Sequence, residues 1–230
     1  ALGRWFPFAL LKGIIFFLVV ARLLGRITEC KDGEEFKLVV RKGLFWNVYV
    51  PLNVFFQHRS VFSLVKTTPH LKYDLLQLAS DWLKNNIVDL SSSSLVFVHI
   101  RRGDYLYWPS REFPAVLDLS WLNGAMKLMQ LKIKKPVFIL MSDDQPYLRD
   151  VFKESEWLII SNNNRETDMA LMSFCNSGIL SASSFSWWGA FFARANQCQE
   201  GTFLAPQFWG GHRVKNWYPK GFITDWITYI

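Results

Sequence analysis

Between residues 95 and 205 the chain alternates short β-type apolar runs with segments of helical periodicity, and no other feature restricts the fold so tightly. The runs are Leu95-Val-Phe-Val-His-Ile100, Pro136-Val-Phe-Ile-Leu-Met141, Trp157-Leu-Ile-Ile160, Gly178-Ile-Leu-Ser-Ala182 and Thr202-Phe-Leu-Ala205. Helices are expected near 119–132 with Asp118 or Ser120 as cap, from Ser142-Asp-Asp-Gln to about 154, from Thr167 or Asp168 to Cys175, and from Trp187 to Ala195. Strands that alternate with helices of about ten residues predict an α/β fold with a doubly wound parallel sheet. Such sheets bind ligands beyond the carboxyl ends of their strands.

The first run ends in His99-Ile-Arg101-Arg102-Gly-Asp104-Tyr105. With a period of two, Val96, Val98 and Ile100 take one face, while Phe97, His99 and Arg101 take the other. Two arginines at a buried strand end call for an anion, because an unpaired buried cation is costly. The guanidinium fork also matches phosphate oxygens. The plainer reading is an ion pair from one arginine to Asp104, with His99 as a core histidine.

Ser183-Ser184-Phe185-Ser186 lies between a predicted strand and a predicted helix. Its hydroxyls and the free backbone N–H groups of a helix start form an anion site. Paired with the arginines it makes the second half of a diphosphate clamp. Asp168 falls in a first helical turn, where it either answers the helix dipole or accepts from N1–H and the 2-amino group of a guanine. Asp143-Asp144 resembles a metal-binding acidic pair, but the position after Ser142 suits helix-start acids, and no metal site is expected.

Upstream, the pattern is irregular. Residues 5–24 are nearly long enough for a membrane span, which needs about 20 apolar residues, yet Lys12 and Arg22 interrupt them. The segment is expected to be a signal-anchor or an apolar helix at a domain surface. Residues from Cys30 to Lys37 read as a charged loop, and Phe36–Val40 and Phe45–Val50 as strands, the second ended by Pro51. His58, Arg59 and His70 have no ligand-like spacing. Leu71–Asn85 carries the stripe of an amphipathic helix, and the joint at Asn85-Asn86 and Ser91–Ser94 sets the expected boundary between a region 1–90 and a lobe 91–230.

Half of the residues are apolar and 17% are aromatic, ample for a packed core. The net charge of +7 is uneven: residues 1–95 hold 12 Lys and Arg against 7 Asp and Glu. That excess suits a membrane surface or an anionic ligand better than nucleic acid, for which no basic block or stacking motif is present. Cys30, Cys175 and Cys198 lack any CxxC pairing and read as free thiols.

His99-x-Arg101-Arg102-x-Asp104-Tyr105, Ser142-Asp-Asp, Asp168-Met-Ala-Leu-Met-Ser-x-Cys175, Ser183-Ser-Phe-Ser-Trp-Trp-Gly189 and Tyr218-Pro219 stand in an order that resembles the α-1,2-fucosyltransferases of glycosyltransferase family 11. The resemblance covers roughly residues 95–220. It implies a GT-B-like enzyme that moves L-fucose from GDP-fucose to the 2-hydroxyl of a terminal galactoside, inverting and without metal or other cofactor. Arg101, His99 and Asp104 would be catalytic. Arg101 would meet the β-phosphate, Arg102 would support it, Ser183, Ser184 and the amides of Phe185 and Ser186 would hold the diphosphate, and Asp168 the guanine. The partners implied are GDP-fucose and a galactose-terminated glycan, with a Golgi membrane location favoured over a bacterial cytoplasm. The glycine-rich loop that opens the family's first strand is absent from residues 1–60, so the chain is expected to be a fragment or to carry a truncated, divergent first lobe. A descendant that binds the GDP-sugar without turning it over is the alternative.

Overall fold

The computed structural model describes residues 6–32, 35–52, 69–196, 201–210, 212–215 and 224–230. The chain divides into two compact units, one of residues 1–66 with 220–222, the other of 67–219 with 223–230.

In the first unit, helix α1 (Phe6–Val20) precedes a three-stranded sheet of β1 (Leu24–Asp32), β2 (Glu35–Arg41) and β3 (Phe45–Leu52), in the order β2-β1-β3. The expected strands at 36–40 and 45–50 are present. The expected loop from Cys30 falls largely inside β1 and β2, because β1 pairs antiparallel with β2 from Arg26↔Arg41 to Asp32↔Glu35. Pro51 does not end β3. It pairs opposite Ile27 on an edge strand, where a missing N–H is tolerated. Helix α1 is 15 residues long, about 22 Å at 1.5 Å per residue, short of a ~30 Å hydrocarbon core. Among the described residues, no helix is long and apolar enough to cross a membrane. Its residues Leu10, Phe16 and Phe17 are exposed, in keeping with an apolar helix at a surface. His58, Arg59, Cys198 and Tyr218-Pro219 lie outside the described residues.

The second unit is a six-stranded parallel sheet. Its strands are β4 (Ser94–Ile100), β5 (Pro136–Ser142), β6 (Leu158–Ile160), β7 (Ser177–Ile179), β8 (Phe203–Ala205) and β9 (Ile227–Tyr229), in the order β6-β5-β4-β7-β8-β9. The chain winds outward from β4 through β5 to β6, then returns to the other side of β4 for β7. Strand order therefore reverses between β4 and β7, and the crevice at their carboxyl ends is where such a sheet holds ligand.

Helices α2 (Tyr73–Asn86), α3 (Leu119–Lys132), α4 (Gln145–Val151), α5 (Arg165–Phe174) and α6 (Ser184–Asn196) complete the unit. Val96, Val98 and Ile100 of β4 pack with Phe138, Leu140, Leu122, Ala125 and Met129 in one core, which places α3 over that face. Phe97 points the other way, 6.3 Å from the ring of Phe203, which meets Trp226 and through it Trp187 of α6. The two faces follow the period-two pattern of the sequence. Gly178 of β7 lies directly under the Phe97 ring, where a Cβ would collide. Gly189 lets α6 close on Met172 of α5 in the same way.

Helix α2 packs against α5, which is why the second unit begins at Thr67 rather than at the expected joint near 90. The caps also differ in detail. Asp118 caps α3 as expected, accepting from the Trp121 N–H at 2.8 Å, whereas Asn164, not Thr167 or Asp168, caps α5. Cys175 is a buried free thiol whose Sγ donates to the Leu171 carbonyl at 3.4 Å, and burial pushes its pKa up.

Candidate active site

The loops that leave β4 and β7 are fastened to each other at the reversal of strand order. The Ser181 hydroxyl donates to the His99 carbonyl at 2.6 Å and accepts from the Arg101 N–H at 2.9 Å. The Tyr105 hydroxyl donates to the Ala182 carbonyl at 2.5 Å. Buried Ser186 donates to the carbonyls of Ser181 and Ser183, both at 3.0 Å, and so closes the turn that starts α6. Ser183 caps that helix, accepting from the Phe185 N–H at 3.3 Å. The amino end of a 13-residue helix and the end of the central strand are thereby held in one piece.

A cavity of about 480 Å³ opens here, within the range that suits a small-molecule ligand. His99, Arg101, Ser183 and Phe185 line it from the β4 and β7 loops, Ser142 and Asp143 from the end of β5, and Asn163, Arg165 and Asp168 from the segment after β6. Of the residues singled out from sequence, His99, Arg101, Asp168, Ser183 and Phe185 are brought together. Arg102, Asp104, Ser184 and Ser186 are not among its walls.

Each departure has a physical reason. Successive side chains at a strand end point to opposite sides, so Arg102 turns away from Arg101. Its Nε donates to Asp144 Oδ2 at 3.0 Å and its guanidinium lies 3.5 Å from the centroid of the Tyr147 ring. Ser186 spends its hydroxyl on the turn, and Ser184 is exposed on the first turn of α6. Asp104 sits outside the wall but touches it through Arg101, whose Nε and Nη2 reach its Oδ1 at 3.0 and 2.6 Å.

Arg101 has a second carboxylate, Asp143, whose Oδ2 lies 3.0 Å from Nη1. The other oxygen of Asp143 accepts from the Arg102 N–H at 2.8 Å, so one carboxylate fixes both the loop and the guanidinium. Asp144 is the helix-start acid: it caps α4 through the Tyr147 N–H at 3.2 Å, and Arg102 holds its pKa below the usual range. Both members of the acidic pair are thus engaged with the arginines, and no cluster of three metal-ligating side chains occurs among the described residues.

His99 is buried, and burial, with Arg101 adding to it, pulls its pKa down to about 3. At neutral pH it is an uncharged imidazole and adds no positive charge to the site. Its ring lies 5.3 Å from that of Phe185, and its Nδ1 is buried without a hydrogen-bond partner in the protein. Asp168 is also buried, and desolvation pushes its pKa up to about 6, against the Ser161 hydroxyl that donates to its Oδ1 at 2.5 Å. The site therefore combines a guanidinium, a helix amino end, a neutral histidine and a strained-for-charge carboxylate. An anion beside a group that donates to a carboxylate would satisfy all four.

Arg165, Asn163 and Ser181 were not singled out from the sequence. Arg165 is a cation at the first position of a helix, where the macrodipole disfavours it, but that signal was hidden because the expected helix began at Thr167 or Asp168. A serine inside an apolar strand was a weaker one for Ser181.

The sequence model of Glycosyl transferase family 11 matches residues 40–228. The O-antigen biosynthesis glycosyltransferase WbnK of Escherichia coli is 30% identical over 160 residues, which cover 67% of this chain and 51% of that protein. Galactoside alpha-(1,2)-fucosyltransferase 1 of Rattus norvegicus is 28% identical over 165 residues, 69% of this chain and 43% of that protein. The chain spans about half the length of these relatives. Among solved structures, POFUT1 in complex with GDP aligns with a TM-score of 0.43 at 12% identity, over 57% of this chain and 46% of that one.

Proposed function

The chain belongs to glycosyl transferase family 11, and from that premise we propose that it forms the donor half of a fucosyltransferase that moves L-fucose from GDP-fucose to the 2-hydroxyl of a terminal galactoside. The observation that carries this reading is the joining of Arg101 to the amino end of α6 in one cavity where strand order reverses. Relatives named for α-1,2 transfer to galactosides support the linkage and the acceptor.

In the proposed reaction the acceptor hydroxyl oxygen bonds to the anomeric carbon of fucose from the face opposite GDP. The bond from that carbon to the β-phosphate oxygen breaks, and its electron pair leaves with GDP. Negative charge grows on the β-phosphate, where Arg101 and the amides after Ser183 stabilise the transition state more than the ground state. Asp104, 62% exposed and paired with Arg101, is the carboxylate assigned to receive the hydroxyl proton once the diphosphate draws Arg101 away from it. His99 offers a hydrogen bond rather than charge, and Asp168 accepts from the guanine. Arg102, paired with Asp144, supports the loop and does not touch the donor.

Titration calorimetry with GDP, GDP-fucose and UDP, beside a transfer assay on a β-galactoside, tests the proposal. Saturable GDP binding with no response to UDP is expected, and equal binding of both would contradict it. The two carboxylates already seated on Arg101 favour one further reading, a module that binds the GDP-sugar without turnover. GDP binding with no fucose release or transfer would select that reading.

A further inference from the structure

Arg165 is a cation placed where helix electrostatics disfavours it. It occupies the first position of α5, after the Asn164 cap, at the positive end of the helix dipole. It pairs with the next residue, Glu166, at 2.9 Å, and both are exposed, with 84% and 51% of their side-chain surfaces open. Pairs of that kind hold their members loosely. Arg165 nevertheless lines the same cavity as Asp168. The two are three residues apart, which puts them on one face of the helix.

The strand order fixes which end of the ligand they meet. Helix α5 follows β6, two strands from β4, so it is reached from a strand end about 10 Å across the sheet from the end of β4. On the nucleotide reading proposed above, the Arg101 and Ser183 end takes the phosphates, which leaves the α5 end for the base.

We propose that Arg165 and Asp168 read a guanine together, with Arg165 donating to O6 and N7 while Asp168 accepts from N1–H and the 2-amino group. This rests on the nucleotide reading of the site above. The acceptor and the donor on the helix face match the donor and the acceptor on the edge of guanine. Adenine reverses both: N1 offers a lone pair to the carboxylate, and the 6-amino group offers protons to the guanidinium. The pair therefore rejects adenine at two positions. Hypoxanthine keeps O6, N7 and N1–H but lacks the 2-amino group, so it separates the two contacts.

The test is titration calorimetry of the full chain with GDP, IDP and ADP, for wild type, Arg165→Ala, Arg165→Lys and Asp168→Asn. Arg165→Ala should weaken GDP and IDP alike, by about 5- to 100-fold, with ADP unchanged. Arg165→Lys should recover only part of the loss, since an ammonium lacks the two-pronged fork. Asp168→Asn should cost GDP more than IDP, because only GDP loses the amino contact. GDP affinity unchanged in Arg165→Ala, or GDP and ADP weakened equally, overturns the assignment; the latter makes Arg165 a phosphate-facing cation. A wild type that does not distinguish GDP from ADP fails earlier, and overturns the nucleotide reading itself.

Discussion

Asp168→Asn should stabilise the free protein, and by an amount that depends on pH. The carboxylate is buried and accepts a hydrogen bond from Ser161, which an asparagine Oδ1 can also accept. Its pKa stands at about 6 in the folded chain against 3.8 for an unperturbed aspartate, so between those pH values the folded state binds more protons than the unfolded one. Stability then falls as pH rises through that window, by about 3 kcal/mol in all. About 2 kcal/mol of the change falls between pH 4.5 and pH 7.5. An asparagine does not titrate, so the variant gains on wild type by that amount over the same interval. Urea unfolding followed by tryptophan fluorescence at the two pH values measures it, and in thermal unfolding it corresponds to roughly 4–8 °C. On the proposed reading, the gain is the reverse side of a carboxylate kept dry for a ligand that donates to it. Curves for the two proteins that run parallel from pH 4.5 to 7.5 would refute the burial of an ionisable group at this place.

Four further outcomes are expected. Arg101→Ala should leave the circular dichroism unchanged and lower fucose transfer by about 100- to 1,000-fold, because it removes one fixed donor from the departing phosphate; turnover within tenfold of wild type counts against the role. Arg102→Ala should cost on the order of 1–2 kcal/mol of stability through the lost Asp144 pair and Tyr147 contact, while GDP affinity stays within threefold; a large loss of affinity with normal stability would return Arg102 to the cavity wall. Ser183→Ala should cost about 1 kcal/mol as a lost helix cap and weaken GDP binding as well, whereas Ser184→Ala should change stability little. Gly178→Ala should destabilise by about 1–3 kcal/mol, read from urea midpoints, since the added methyl meets the Phe97 ring in a filled core.

The parts of the fold that the sequence made legible are those buried on both faces. Val96, Val98, Ile139 and Leu140 announce β4 and β5 because a strand hidden in a parallel sheet has no polar face. Strand β1 was hidden by its own composition: Arg26, Thr28, Glu29 and Lys31 give no alternation, and the strand exists through pairing with β2 and β3. Strand β9 is three residues long and is defined by its register with β8, which no local pattern records. Asn162, Asn163 and Asn164 offer three equal caps, and only the Thr167 contact distinguishes one.

The site was legible in its chemistry and less so in its directions. Two arginines at a strand end indicated an anion, and period-two geometry already implied that only one of them could face it. The plainer reading of that cluster was an ion pair from one arginine to Asp104; Arg101 makes it, beside a second pair to Asp143. Asp143 could not be read as a buttress of the Arg101 loop, because its partners lie 42 and 41 residues away along the chain.

A crystal structure of the chain with GDP bound tests the central claim most directly. The account predicts diphosphate oxygens within about 3.2 Å of the Arg101 guanidinium and of the amides that follow Ser183, with the guanine edge against Asp168. A diphosphate seated elsewhere, with Arg101 still paired to Asp104 and Asp143 as in the free chain, would contradict it.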